Sequence, residues 1–213
     1  MNKQLKDDSD KARASILARL KKSCDNTSGR VPRRCSSAAF FPQPDPLLDT
    51  FVDEFRKIKG QVFLCEDEDE LKNQLQALQD KKQWKHIACC DKALQELLPV
   101  AMQQRLASSI DNAEVGITTC ECLIARTGSI MVSAGQDSGR MLPVFPPVHL
   151  VIAHQQQIVP FLDEAIQNFK VRHGGSLPSQ ACVITGPSRT ADIEKTLVMG
   201  AHGPKELILF IRL

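Results

Sequence analysis

No apolar run in the 213-residue sequence approaches the roughly 18 residues that a helix needs to cross a bilayer, so no membrane span is expected. The opening segment, "MNKQLKDDSDKARASILARLKKS", is charged and amphipathic. It lacks the apolar core and small-residue cleavage site of a secretory signal, which points to a cytoplasmic protein. Eight cysteines are present (24, 35, 65, 89, 90, 120, 122 and 182), yet none form a C-x-x-C pair. That spacing argues against a zinc ribbon or a ferredoxin-like cluster held by this chain. Most of these cysteines lie in or beside apolar strand-like runs, where a free thiol in a reducing compartment behaves as a small hydrophobe. The G-x-G-x-x-G and G-x-x-x-x-G-K-[ST] phosphate signatures are also missing, as are H-E-x-x-H and G-x-S-x-G. The commonest nucleotide, metalloprotease and serine-hydrolase classes therefore find no support.

Charge is nearly balanced at +2 overall but unevenly spread. Residues 1–34 carry ten basic against four acidic side chains, leaving a net −4 for the remainder. The arm has no interleaved aromatics, so a solvated helix that docks on a partner or on its own domain fits better than a nucleic-acid-binding element. Ala12, Ile16, Leu17 and Leu20 recur at helical spacing and predict a short helix over 9–22. The Ser-, Pro- and Arg-rich stretch that follows reads as an extended linker, with Phe40 and Phe41 as anchors. This divides the chain into a basic helical arm and linker, 1–44, and a folded domain, 45–213.

Within that domain, apolar runs alternate with helical patterns. "QVFLC", "KHIACC", "PVHLVIA", "ACVIT" and "ELILFIRL" read as strands, and "PLLDTFVDEFRKIKG", "DEDELKNQLQALQDKK", "DKALQELL", "QQQIVPFLDEAIQNF" and "RTADIEKTLV" as helices. The alternation predicts an α/β fold with an open, mostly parallel sheet flanked by helices. "AEVGITTCECLIARTGSIMVS" adds a small antiparallel β insertion, with Gly116 and Gly128 as turn or bulge points.

The blocks "VGIT", "ARTGSIMVSAGQDSGRMLPVFPPVHLVIA" and "ITGPSRTADIEKTLVMGAHGP" resemble, in order, those of the LUD-domain family and its LutC/YkgG branch. The resemblance covers roughly residues 45–213. It implies a fold similar to the NagB/RpiA/CoA-transferase superfamily of sugar-phosphate isomerases and CoA transferases. It also implies a role as one subunit of a three-protein system oxidising L-lactate to pyruvate. In such a system this chain binds no cofactor, and the iron-sulfur clusters belong to the partner subunits. Many relatives place an acidic residue before the Thr-Gly turn where this chain has Arg126, which bears on any carboxylate-based mechanism.

The residues themselves suggest an anion pocket. Gly186, Pro187, Ser188, Arg189 and Thr190 stand where a strand hands over to the expected "RTADIEKTLV" helix, whose N-terminal N–H groups would join a guanidinium and two hydroxyls around a carboxylate or phosphate. Asp192 and Glu194 in the same turn would partly satisfy that dipole themselves. Gly128 and Ser129 offer a bend with little side-chain bulk that would let a ligand approach backbone, and Arg140 stands on a polar, Gly-rich loop as a second clamp. His149 and His154 alternate onto opposite faces of their strand and cannot share a metal. His202 and Gly203 follow a helix ending at Gly200 and lie in a loop before the last strand. Glu121 and His149 are the weak catalytic candidates. Cys120 and Cys122 are expected on one strand face as core packing. Beside the lactate-system reading stand two others: a stand-alone isomerase or acyl/CoA-transferase-type enzyme on a phosphorylated or CoA-linked metabolite, and a non-catalytic anion-binding scaffold.

Overall fold

The computed structural model describes residues 13–21, 36–107, 109–193, 196–199 and 203–213, with the side chains of 189–199 left out of the description. The chain divides into two compact units, 1–36 and 37–213. In the first, described residues 13–21 form helix α1, with Ile16, Leu17 and Leu20 exposed.

The second unit is built in four layers. Five parallel strands form the main sheet in the order β1 (Gln61–Cys65), β11 (Glu206–Arg212), β6 (Val148–His154), β3 (Val115–Thr118), β2 (Ile87–Cys89). One face is covered by α3 (Glu68–Lys82), α4 (Lys92–Leu97) and α5 (Val100–Gln103) through a cluster that includes Leu71, Leu75, Leu98, Met102, Ile117, Leu150 and Phe210. Side chains of alternate parity point to the other face, so Val151, Ala153, Leu207, Leu209 and Ile211 pack against a second sheet. That sheet runs β7 (Ile158–Val159), β4 (Cys122–Ile124), β5 (Ser129–Ser133), β8 (Ala181–Ile184). Phe51 and Phe55 of α2 (Leu47–Lys57) fill the same inter-sheet core. Finally α6 (Leu162–His173) covers the outer face of the second sheet through Ala165 and Phe169. Because β6 and β11 are buried on both faces, "HLVIA" and "LILFI" are continuous apolar runs rather than alternating ones.

Local chemistry sets the helix starts. Asp67 caps α3 by accepting from the Glu70 N–H at 2.8 Å, and Asp91 caps α4 by accepting from the Ala93 and Leu94 N–H groups.

The α/β sheet expected from the sequence is present, but several details differ. "QQQIVPF", read as the start of a helix, forms a 3-10 turn and β7 before α6 begins at Leu162, and "VGIT", read with the antiparallel insertion, is β3 of the parallel sheet. The β insertion is a complete four-stranded sheet and takes in "ACVI", which pairs antiparallel with β5 instead of joining the parallel sheet. Gly116 is neither turn nor bulge. It lies within β3, where a Cβ would come within 2.8 Å of the Leu142 carbonyl, so the absence of a side chain admits the loop crossing that face. Most consequentially, "RTADIEKTLV" is not a helix. It forms a hairpin of β9 (Arg189–Ile193) and β10 (Thr196–Met199), with a register shift between Thr196 and Val198. Thr190, Ile193, Thr196 and Val198 are β-branched and fit paired strands better than a helix. The expected helix stop at Gly200 lies outside the described residues.

Gly128 shows how the second sheet is anchored. It ends the turn Ala125–Thr127 at φ 58°, and a Cβ there would lie 2.4 Å from the Phe55 backbone nitrogen. Gly128→Ala is expected to lower unfolding free energy by about 2 kcal/mol or more, since it adds both a left-handed backbone and a backbone clash. Urea denaturation of the purified chain measures this, and an unchanged midpoint would contradict the packing described.

Candidate functional site

The residues proposed from the sequence fall into separate places. Ser129 is 1% exposed and its hydroxyl is already engaged, donating to Thr127 Oγ1 at 2.8 Å and sharing a 2.9 Å bond with Thr185 Oγ1. Gly128 and Gly186 both face α2: a Cβ on Gly186, at φ 88°, would lie 2.6 Å from the Ile58 carbonyl oxygen. These two glycines thus admit the helix, and the bend that was to receive a ligand receives α2. Pro187 is buried. Ser188 donates its N–H to the Pro204 carbonyl at 2.8 Å and abuts Gly203, so the Gly-Pro-Ser and Gly-Pro segments do meet. The Arg189 and Thr190 side chains lie outside the description, as does His202. Since β9 follows Ser188 directly, no helix N-terminus stands at this turn.

His149 is wholly buried on β6. Its Nε2 is 2.9 Å from Thr118 Oγ1, while Nδ1 has no hydrogen-bond partner. Burial pushes its pKa down to about 3, so the ring is neutral through the physiological range. His154, five residues on, is exposed. Arg140 is exposed on the loop after β5 and donates to Ser179 Oγ at 2.5 Å. It borders a small recess with Ser133, Ala134 and Gln180. Arg126 lies over the Phe41 ring, 4.8 Å from its centroid, a cation–π contact that gives this side chain a structural use.

The densest ionisable cluster centres on Glu121, which is 4% exposed. Ser133 Oγ donates to its Oε1 at 2.5 Å, His173 Nε2 lies 3.0 Å from the same oxygen, and Arg172 donates to Oε2 at 2.8 Å and to the Glu121 carbonyl at 2.9 Å. Burial alone would raise this carboxyl, but hydrogen bonds from Ser133, His173 and Arg172 outweigh it and hold the pKa below the ordinary glutamate value. A carboxylate that is ionised at neutral pH and has both oxygens occupied is a poor nucleophile and a poor base. Arg172 and His173 were not singled out by the sequence. Their signal was the basic "KVRH" before Gly174, a helix end that extends α6 past Phe169.

Cys120 and Cys122 do not share a face. The chain turns at 119–121, which sends Cys120 into the inter-sheet core and Cys122 toward α6. Burial pushes the Cys122 thiol up to about 11 and the Cys89 thiol to about 12, while Cys120 is raised further still. Among the described residues no three His, Cys, Asp or Glu side chains converge to hold a metal ion.

Residues 91–211 match the LUD domain model. The chain belongs to the LUD domain family. Relatives with which it aligns include Lactate utilization protein C of Bacillus subtilis, 38% identical over 44% of this chain and 40% of that protein. Lactate utilization protein C of Oceanobacillus iheyensis is 33% identical over 44% and 41%, and an uncharacterized protein of Neisseria meningitidis 32% identical over 52% and 49%. The chain thus matches about half the length, or somewhat less, of these relatives. A crystal structure of a DUF162 family protein from Deinococcus radiodurans superposes with a TM-score of 0.56 at 19% identity, covering 78% of this chain and 96% of that one, and so shares the fold. No helix among the described residues of this LUD domain protein is long and apolar enough to cross a membrane.

The buried groups make stability pH-dependent. His149 has a folded pKa below its unfolded value, so it contributes stability fully present above about pH 6.5 and lost as pH falls toward 3. Glu121 adds a second loss only below its unfolded carboxyl range, as pH falls through its depressed folded value. Unfolding free energy should therefore already decline between pH 6.5 and 5, and His149→Gln should flatten that slope. Urea titrations across this range provide the check, and a slope unchanged in His149→Gln would contradict the buried neutral ring. Glu121→Gln should cost about 2 kcal/mol or more at pH 7, because the negative charge facing Arg172 is lost and one of the two acceptor oxygens becomes an NH2 donor set against a donor, with the exposure of Arg172 limiting the loss. A thermal melt within experimental error of wild type would contradict this.

Proposed function

We propose that this LUD domain protein serves in lactate utilisation, as a subunit of an assembly that oxidises L-lactate to pyruvate. The observation that carries the reading is the LUD match over 91–211, together with alignment to proteins named Lactate utilization protein C. In this reading the chain works in the cytoplasm and the iron-sulfur clusters reside on partner subunits. Oxidising lactate removes two electrons, and this sequence carries no recognisable flavin, nicotinamide or cluster motif to accept them. The chain's contribution is then to bind a small carboxylate or phosphate, to hold the assembly together, or both. Arg140, exposed beside the recess with Ser133 and Gln180, is the described guanidinium best placed for a two-point contact with a carboxylate.

The stand-alone acyl- or CoA-transfer reading needs a carboxylate free to attack. Glu121, the acid offered for that role, has both oxygens hydrogen-bonded and is nearly inaccessible, which weighs against it.

Affinity purification of the tagged full chain from its native cells growing on lactate, followed by mass spectrometry and an L-lactate oxidation assay, tests the proposal. Iron-sulfur proteins are expected to co-purify with activity that falls about tenfold or more in Arg140→Ala, the loss of a charged contact worth roughly 1.5–3 kcal/mol. A chain that purifies alone, from cells whose lactate oxidation survives its deletion, would overturn the function.

A further inference from the structure

At one edge of the main sheet, β1 pairs only with β11 among the described residues. The Cys65 carbonyl accepts from the Leu213 N–H, so by strand alternation the backbone groups of Val62 and Leu64 face outward. Edge strands are ordinarily blunted by charge, proline or a bulge. "QVFLC" has none of these, and it borders a groove of about 680 Å³ between β1 and α3, lined by Val62, Phe63, Leu64, Ala77, Leu78 and Lys81 among others.

Charge is polarised along this edge. At the amino end of β1 stand Arg56 and Lys81, both exposed and without an ion-pair partner among the described residues, and Lys82, which pairs with Glu206. At its carboxyl end "EDEDE" (66–70) follows Cys65; Glu66 and Asp69 are exposed and likewise outside the described ion pairs. Because α3 returns antiparallel to β1, its acidic first turn and its basic last turn flank opposite ends of the strand.

We propose that this edge is the contact between two copies of the chain, with β1 pairing antiparallel to the partner's β1 across a two-fold axis perpendicular to the sheet. Antiparallel pairing sets the basic end of each strand against the acidic end of the other, twice, as an isologous interface requires. The two five-stranded sheets become continuous, the outward N–H and C=O groups of Val62 and the Leu64 N–H gain partners, and the Leu64 carbonyl exchanges its 3.3 Å bond from Gln74 Nε2 for one from the partner strand. Other occupants fit less well. The N-terminal arm, with ten basic residues among 1–34, would add positive charge beside Arg56 and Lys81. A uniformly acidic strand from elsewhere would meet repulsion at the 66–70 end.

Sedimentation velocity on the purified full chain tests this at micromolar concentrations. Wild type is expected to be a dimer that weakens as salt is raised. Lys81→Glu should weaken dimerisation by about tenfold or more through like-charge contact with the partner's acidic turn, and the double variant Lys81→Glu/Asp69→Lys should restore it. Val62→Pro, which removes an outward N–H while sparing the bonds to β11, should give a monomer with an unchanged circular dichroism spectrum. A monomeric wild type overturns the proposal. So does a dimer indifferent to both Val62→Pro and Lys81→Glu, or a wild-type monomer whose Val62 and Leu64 amides are protected from exchange, since the edge would then be covered from within the chain.

Discussion

The second unit depends on how the chain passes from one sheet to the other after β3. Strand β3 ends at Thr118 in the parallel sheet, and four residues later Cys122 begins β4 in the mixed one. Such a crossing strips backbone and side chains of their ladder partners, and Glu121 sits buried within it. Its carboxylate gathers Ser133 from the end of β5 and Arg172 and His173 from the end of α6, and its carbonyl takes a further bond from Arg172. One charge thereby ties the crossover, the second sheet and its covering helix. Breaking a buried charged network strands the remaining partners, so the tie constrains all three elements together.

The same economy of space explains the glycines. Gly128 and Gly186 lie at turns of the second sheet, and both are occupied from outside by the α2 backbone. The inter-sheet core closes around Phe51 and Phe55 because those two turns carry no side chain. Gly128 and Gly186 are therefore packing devices, and the described polar candidates divide into separate groups around Ser129, Ser188, His149 and Arg140.

Much of the parallel sheet was legible because its strands are buried on both faces and so stand out as apolar runs, and because Asp67 and Asp91 announce their helices. The hairpin Arg189–Met199 was not. A Gly-Pro-Ser turn followed by acidic residues imitates a helix start, and the β-branched residues at Thr190, Ile193, Thr196 and Val198 were the contrary signal. The four-stranded second sheet was underestimated because β6, β7 and α6 separate β8 from β4 and β5, and only three-dimensional pairing unites them. Of the candidate site, Glu121 and His149 were named as isolated residues. What surrounds them, the Arg172–His173 pair and the Thr118 hydroxyl, comes from elements distant in sequence, and no spacing rule could join them.

Within the LUD domain this makes Glu121 an ionised structural tie rather than a carboxylate in search of a substrate. The most direct measurement is a carbon-13 NMR titration of the Glu121 side-chain carboxyl in the folded chain. The carboxyl should titrate below the ordinary glutamate value of 4.5, with loss of folded signals accompanying its protonation. A midpoint at or above 4.5 in a chain that remains folded would contradict the account and return Glu121 to the list of groups able to exchange a proton.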